Sequence, residues 1–322
     1  MENTPNSANW ERNVLEKLAS EALNEQKRAR RTRTIMSLLW LSFLVVIFLA
    51  IIGGMGGKRD ASSTEKHTAL VELKGIISSD SKASGDKIIS ALQAAFKDKN
   101  TAGVVLRINS PGGSPVQSGY INDEIKRLRS KYKDIPMYVV VQDICASGGY
   151  YIAVAADKIY VDKASIVGSI GVLMDGFGFT GTMDKLGVER RLITAGANKG
   201  FMDPFSPANP DQQKYAQQMV GEIHQQFINV VKQGRGKRLK ETPEMFSGLV
   251  WSGEKSVELG LADGLGSLDS VARDVVKAEQ IVDFTADESF SEQLARRFGT
   301  TAAESFFNGI VSSSFVNRAA IR

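Results

Sequence analysis

The sequence of 322 residues contains few of the side chains that most often carry out catalysis, with one cysteine and two histidines. The single cysteine, Cys145, cannot form a disulfide within the chain. Together with only His67 and His224, it offers too few ligands for a Cys/His zinc site. The net charge of +4 is small for this length, which argues against a nucleic acid as partner. A Cys/His zinc site is therefore not expected, and the catalytic side chains have to be sought elsewhere in the sequence.

Charge is absent from one long segment, Ile35 to Gly57. About 20 apolar residues in a helix span the ~30 Å hydrocarbon core of a bilayer, whereas the apolar region of a cleaved signal peptide has about 7–15 residues. The segment therefore predicts one uncleaved transmembrane helix in the lipid bilayer. The basic residues of "KRARRTR" before it outnumber those of "KR" after it, so we expect a cytoplasmic N-terminus and the remainder of the chain across the membrane.

Beyond this segment, apolar strands alternate with helices, as in "TALVELKG", "GDKIISALQAAFKD" and "AGVVLRIN". This order predicts an α/β domain with a parallel sheet flanked by helices, in which the carboxyl ends of the strands share one edge. A long amphipathic helix is predicted from Asp211 to Gln233. The expected organisation is a cytoplasmic segment over 1–34, the anchor over 35–57, a tether over 58–67, a catalytic domain over 68–283 and a tail over 284–322.

Two glycine-rich turns follow two successive predicted strands, "NSPGGSP" from Asn109 and "CASGGYY" from Cys145. The first is either a tight strand-to-helix turn or an oxyanion hole, in which amides near Gly112 and Gly113 face a developing negative charge. In the second turn, Ser147 is either a helix N-cap or a nucleophile beside the free amides of a helix N-terminus. Both turns are expected to open on the same edge of the sheet, which favours the catalytic alternatives.

A nucleophile needs a base, and the sequence offers few. His67 lies in the predicted tether and His224 within the amphipathic helix, so neither a Ser-His-Asp triad nor a Cys-His pair is expected. We interpret Cys145 as a small buried apolar residue. A neutral lysine is the usual substitute for histidine. Lys199 follows the predicted strand "RRLITA" among alanines and glycines in "TAGANKGF". It is either a base in a dry pocket or a solvated loop lysine.

The motifs "INSPGG", "ASGGYYIA", "VGSIGV" and "AGANKG", in this order and spacing, resemble the signal peptide peptidase A family of membrane-bound serine peptidases. The resemblance covers roughly residues 68–270. It implies a fold related to ClpP and crotonase, and a serine–lysine dyad of Ser147 as nucleophile and Lys199 as general base. It also implies that Ser169 orients the lysine and that several short chains assemble into a ring. The oxyanion would then be held by amides of Gly148 and of Gly112 or Gly113.

These expectations describe a serine endopeptidase of the bacterial inner membrane, with its catalytic domain on the periplasmic side and with no need for a metal or cofactor. Its substrates would be remnant signal peptides and similar hydrophobic peptides. One alternative is a crotonase-like acyl-transfer enzyme, because "NSPGG" would also suit a thioester oxyanion. Against it, coenzyme A is absent outside the cytoplasm and no glutamate lies at a turn that faces the site. The other alternative is a non-catalytic membrane scaffold, against which the intact dyad argues.

The charge asymmetry around the predicted anchor leads to a test of topology. Protease added to spheroplasts should digest the chain beyond Lys58, because the positive-inside bias places that part on the outer side. The digestion is followed with antibodies against the two ends of the chain. Protection of the domain in intact spheroplasts, with digestion only after lysis, would reverse the predicted orientation.

Overall fold

A computed structural model describes residues 7–55 and 65–285. The chain divides into two compact units, one with the N-terminal residues and one from Asp60 to Asp287. In the first unit, helix α1 (Ser7–Met55) runs without interruption through the basic residues and much of the uncharged segment. Across the described residues, no helix is both long enough and apolar enough to cross a membrane.

The second unit contains one eight-stranded sheet with helices between its strands. In chain order its elements are β1 (His67–Lys74), α2 (Gly85–Lys97), β2 (Thr101–Ser110), α3 (Pro115–Lys131), β3 (Met137–Ala146), α4 (Gly148–Ala153), β4 (Lys158–Val161), β5 (Ile166–Gly168), α5 (Thr180–Leu186), α6 (Pro210–Arg235), β6 (Val250–Ser252), α7 (Gly253–Glu258), β7 (Gly264–Leu265), α8 (Leu268–Ser270) and β8 (Ile281–Asp283). A 3-10 turn (Gly236–Arg238) and a π-helical turn (Val271–Val276) complete it.

The central strands are apolar on both faces because both faces are covered. Val104 and Leu106 of β2 belong to the main core together with buried side chains of α2 and α3. The alternate residue Val105 packs in a second cluster with Val140 and with Val271 of the π-helical turn. Burial on both faces is the usual condition of parallel strands, and it explains the continuous apolar runs in the sequence.

The sheet has the order β6-β5-β3-β2-β1-β8, with β4 and β7 branching from β3. Among the described strands, only the β5–β6 pair is antiparallel. Strand β3 pairs with β2 on one side, and on the other side with β4 along its first half and β5 along its second half. As a result, the carboxyl ends of β2, β3 and β5 lie side by side.

The structure confirms the predicted mixed α/β unit with a largely parallel sheet flanked by helices, and the long amphipathic helix appears as α6. The predicted strand "RRLITA" is wrong: residues 190–195 contain no strand, because no neighbouring strand of the described chain pairs with them. His67 was assigned to the tether but is the first residue of β1 and is buried. The ClpP/crotonase-like assignment stays a prediction.

Four predicted segments extend beyond the described residues, the first of them being the cytoplasmic segment with its residues 1–6. Residues 56–57 of the anchor, 58–64 of the tether and 286–322 of the tail lie outside them. The anchor over 35–57 is not confirmed by the described helices, and it stays a prediction from the uncharged sequence.

A buried ion pair connects α6 to the end of the sheet and leads to a stability prediction. Arg235 is 1% exposed, and its Nη1 lies 2.8 Å from Oδ2 of Asp263. Burial acts to raise the pKa of Asp263, but Arg235, with smaller contributions from the Ile159 amide and Arg238, outweighs it and holds that pKa below its usual value. The stability from the pair is therefore present above the ordinary pKa of aspartate, and it is lost as the pH falls through the lowered value.

Arg235→Met should lower the free energy of unfolding by about 3 kcal/mol, because it leaves a largely buried carboxylate without this partner. The control is Lys255→Met, which breaks the exposed pair with Glu258 and should cost less than about 1 kcal/mol. Urea denaturation of the full chain in detergent measures both. Equal losses in the two variants would show that the buried pair has no special weight.

Candidate active site

A cleft of about 600 Å³ opens where β2, β3 and β5 end. Ser147, Gly148, Gly113 and Ser169 line it, so the structure brings together four of the six predicted site residues. Much of the remaining wall is apolar: Pro115, Tyr151, Val172, Leu173, Ile223 and Phe227. The cleft therefore combines a cluster of hydroxyls and amides with an apolar surface, which suits an extended peptide with apolar side chains.

Ser147 occupies the sharp turn between β3 and α4. Its backbone angles are φ 50° and ψ −122°, a region that residues with a Cβ rarely adopt. Two hydrogen bonds maintain this conformation: Ser147 N donates to Gly168 O at 2.8 Å, and Tyr151 N donates to Ser147 O at 2.9 Å. The Ser147 hydroxyl does not cap the helix. The side chain is thus held half-buried at the cleft, in a conformation that costs energy and is typical of functional sites.

Glycine is required beside this turn because the two glycine-rich turns touch each other. A Cβ on Gly112 would lie 2.7 Å from both Ser147 Cβ and Gly148 N. Gly112 also has a positive φ of 103°. Any larger residue at this position would displace the turn that carries Ser147.

Two backbone amides near Ser147 have no acceptor within the described part of the chain, those of Gly113 and Gly148. Ile77 N donates to Gly112 O, and Ile77 O accepts from Ser114 N. The N–H of Gly113, which lies between these two residues, therefore points away from Ile77. The two amides are neighbours, since a Cβ on Gly148 would lie 3.3 Å from Gly113 N. The amide of Gly112, by contrast, donates to Ser110 Oγ at 3.1 Å.

Ser169 lies on the opposite side of Ser147, directly after β5. Like Ser147, it has a positive φ, at 52°. Its amide donates to Leu249 O at 2.8 Å, and its carbonyl accepts from Gly171 N. Because Ser147 N is bonded to Gly168 O, the residue just before Ser169, the two serines are held in a fixed relation.

Lys199 is not among the residues that line the cleft. It lies in the segment 172–209, which we call the arm and which follows β5 and precedes α6. Its side chain is exposed, and its amide donates to Gly196 O at 3.1 Å in a tight turn. The described residues of one chain therefore do not form the dry pocket expected around Lys199.

The other candidate nucleophile, Cys145, and the two histidines lie in packed surroundings away from the cleft. Cys145 is fully buried, and burial raises the pKa of its thiol far above the ordinary value. His67 is buried and stacks on Phe284. His224 lies with Nε2 3.1 Å from Ile170 O, on α6. None of the three lines the cleft, which agrees with the interpretation of Cys145 as an apolar core residue.

One polar residue at the cleft, Ser118 of α3, is not among the predicted site residues. It is buried, its hydroxyl donates to Ser114 O at 2.9 Å, and a Cβ on Gly148 would lie 2.5 Å from that hydroxyl. The available signal was its helical spacing to Ile121, Asn122 and Ile125, which form the buried face of α3.

Comparison with known proteins identifies relatives among peptidases. A family model described as Peptidase family S49 matches residues 129–283, a range that includes Ser147, Ser169 and Lys199. A putative protease of Synechocystis sp. is 32% identical over 206 residues, which are 64% of this chain and 72% of that protein. A putative signal peptide peptidase SppA of Enterococcus faecium is 34% identical over 200 residues, 62% of this chain and 58% of that protein.

A different name is attached to another relative. A Na(+)/H(+) antiporter NhaA of Brucella melitensis is 46% identical over 182 residues, which are 56% of this chain but only 25% of that protein. The chain thus spans a quarter of the antiporter and less than two thirds of the Enterococcus protein. The antiporter's name describes a protein of which three quarters lie outside the match, so it carries no inference about this chain.

The burial of Cys145 leads to a prediction about thiol reactivity. Iodoacetamide at neutral pH should leave the folded protein unlabelled, because the buried thiol stays protonated, and should label it after denaturation. Cys145→Ala should keep peptide cleavage within about threefold, with a stability loss of about 1–2 kcal/mol from the missing sulfur. Rapid alkylation of the folded chain with loss of cleavage would contradict this assignment.

Proposed function

Since the chain belongs to peptidase family S49, we propose that it is a serine endopeptidase with Ser147 as nucleophile and Lys199 as general base. One observation carries the proposal most directly. Ser147 is held at a positive φ at the edge of the sheet, beside the amides of Gly113 and Gly148, for which the described residues provide no acceptor. This arrangement places a hydroxyl next to two donors that could receive an oxyanion, as acyl transfer requires.

The proposed reaction begins with attack of Ser147 Oγ on the peptide carbonyl. Lys199 accepts the hydroxyl proton, and the negative charge develops on the carbonyl oxygen between the amides of Gly113 and Gly148. Lys199 then donates the proton to the leaving amine. Water attacks the acyl-enzyme with Lys199 again as base, which restores Ser147. Gly113 is favoured over Gly112 as donor because the amide of Gly112 is already bonded to Ser110.

The proposed role of Ser169 is to orient the lysine by a hydrogen bond from its side chain. Support comes from its place on the cleft and from the Gly168 carbonyl, which ties it to the turn of Ser147. A lysine near both serines would then be positioned between nucleophile and orienting hydroxyl.

We propose that Lys199 reaches Ser147 of a neighbouring copy of the chain, within a ring of identical subunits. Lys199 is exposed and does not line the cleft of its own chain. The arm around it also exposes large apolar side chains, including Leu173 and Phe177 at 79% each and Ile193 at 96%. Exposed apolar area of this kind marks an interaction surface. Burial against a second copy would also provide the water-poor surroundings that keep a lysine neutral.

The proposed substrates are hydrophobic peptides such as remnant signal peptides. Val172, Leu173, Ile223 and Phe227 would contact apolar side chains along the cleft. The proposed location follows from the sequence alone: residues 35–57 anchor the chain in the inner membrane, and the peptidase unit lies on the periplasmic side. Peptides released into or near the bilayer would then be close to the enzyme.

The dyad is tested by cleavage of a hydrophobic peptide by the full chain in detergent. Ser147→Ala and Lys199→Ala should each lower kcat by several orders of magnitude, because members of one catalytic unit are lost together. The matched control is Lys185→Ala, an exposed lysine on the same arm, which should leave kcat within about twofold. Full cleavage by Lys199→Ala would refute the dyad.

Sharing of the site between subunits is tested by complementation. Ser147→Ala and Lys199→Ala chains with different affinity tags are expressed together, and mixed oligomers are isolated through both tags. If sites are shared, some interfaces combine an intact Ser147 with an intact Lys199, and a fraction of the wild-type activity returns. If both residues act within one chain, every site lacks one of them, and mixed oligomers without activity would exclude a shared site.

A further inference from the structure

The arm has little support from the core of the unit that carries it. Its one helix is α5, which has no buried residue. Leu186 is 71% exposed, and Lys199 lies in a turn toward the C-terminal end of the arm. A base must nevertheless be held in a defined position to be effective, since a displacement of about 1 Å can cost about 100-fold in rate. Some contact within the arm must therefore define where Lys199 lies.

Four side chains form such a contact, and we call them the clasp: Phe179, Arg190, Asp203 and Phe205. Nη2 of Arg190 lies 3.2 Å from Oδ2 of Asp203. The same guanidinium lies 5.6 Å from the centre of the Phe205 ring, a cation–π distance. Phe205 stacks on Phe179, with the ring centres 5.4 Å apart and the planes at 23°. The amide of Phe179 donates to Pro204 O at 2.8 Å. The clasp thus ties together three separate stretches of the arm.

Asp203 is the best-defined member of the clasp. Its side chain is only 10% exposed. Oδ2 accepts from the Ser206 hydroxyl at 2.7 Å, and Oδ1 accepts from the Phe205 amide at 3.3 Å. The Ser206 hydroxyl, together with the Phe205 amide and Arg190, holds the pKa of Asp203 below its usual value. Asp203 therefore stays ionised at neutral pH, so Arg190 has a fixed anion to bind.

The turn that carries Lys199 is attached directly to Asp203. The amide of Asp203 donates to Gly200 O at 3.2 Å, and Phe201 N donates to Asn198 O at 3.1 Å. On its other side, the turn contacts the start of α6, where the Phe201 ring meets the edge of Tyr215 at 5.9 Å. Lys199 therefore lies on a short turn between the clasp and α6.

We infer that the clasp is a positioning device for the base, in which Arg190 and Asp203 are positioning residues that fix the turn of Lys199. This inference rests on the proposed role of Lys199. Its particular support is the contrast with the adjacent pair Glu189–Arg191, which is 71% and 82% exposed and joins residues only two positions apart. Because that pair links only two neighbouring exposed residues, it does not connect separate stretches of the arm. It therefore provides a matched control in the same stretch of chain.

The test compares peptide cleavage by clasp and control variants of the full chain. Asp203→Asn and Arg190→Met should each lower kcat by about 10- to 100-fold, with KM changed less than threefold. The kcat of the double variant should be no lower than the kcat of the less active single variant, because either change opens the same clasp. Arg191→Met and Glu189→Gln should stay within about twofold of wild type. Thermal unfolding and oligomer mass confirm that every variant is folded and assembled.

A second set of variants separates the loss of lysine positioning from general damage to the fold. On the Lys199→Ala background, Asp203→Asn should leave the residual rate unchanged, because the group that the clasp positions is already gone. An equal loss on both backgrounds would show a structural role and overturn the inference, as would clasp variants with wild-type kcat. If Asp203→Asn does not assemble, Arg190→Lys tests the inference in its place. Lysine keeps the positive charge but cannot stack its head group on Phe205 as a planar guanidinium does, so this variant should lower kcat about threefold to tenfold.

The outcomes also separate this inference from the proposed function. If Lys199→Ala cleaves the peptide as fast as wild type, the dyad fails, and the clasp has nothing to position. If Lys199→Ala is inactive but the clasp variants behave like the Glu189 and Arg191 controls, the dyad stands and the clasp inference is wrong.

Discussion

The pairing of β3 with three neighbours governs where the chemistry of this protein lies. Along its first half β3 is bonded to β4, and along its second half to β5, while β2 accompanies it on the other side. The exchange of β4 for β5 brings a third strand end to the point where β3 stops. The Ser147 amide then bonds to Gly168 O at the end of β5, and the loop after β2 packs against the same turn. A change in this register would separate the hydroxyl from the amides on which the proposed reaction depends.

The scarcity of histidine and cysteine limits the chemistry that this edge can perform. Cys145 lies two residues before Ser147 but faces the core, where burial keeps its thiol protonated. The cleft itself provides hydroxyls, amides and apolar walls, and within the described chain no histidine, lysine or carboxylate side chain lines it. In the proposed mechanism the base therefore comes from outside this cleft. The exposed arm, with its large apolar side chains and Lys199, is the part of the chain suited to supply one to another copy.

Much of the sheet and of the cleft could be predicted from the sequence, for local reasons. Apolar runs such as that of β2 indicate strands buried on both faces, and Pro–Gly–Gly after such a run indicates a tight turn near Gly112. The contact between the turns of Gly112 and Ser147 follows once the strands are parallel neighbours. These inferences need only the pattern of a segment and the general rules of parallel sheets.

The arm could not be predicted in the same way, because its structure depends on contacts between distant residues. "RRLITA" contains the β-branched residues of a strand, but no neighbouring strand pairs with it in the described chain, so it remains irregular. Exposure of Lys199 is likewise not encoded in its alanine and glycine neighbours. Arg190 and Asp203 are separated along the chain and carry no motif, and so only the structure reveals their pairing.

The central claim is that Ser147 is an activated nucleophile, and covalent labelling tests it most directly. The full chain in detergent is treated with a fluorophosphonate, which reacts with serines that a base has activated, and the modified peptide is identified by mass spectrometry. The account predicts one adduct on Ser147 and none on Ser110, Ser118 or Ser169, with labelling greatly slowed in Lys199→Ala. An adduct on a different serine, or an unlabelled protein that still cleaves peptides, would contradict it.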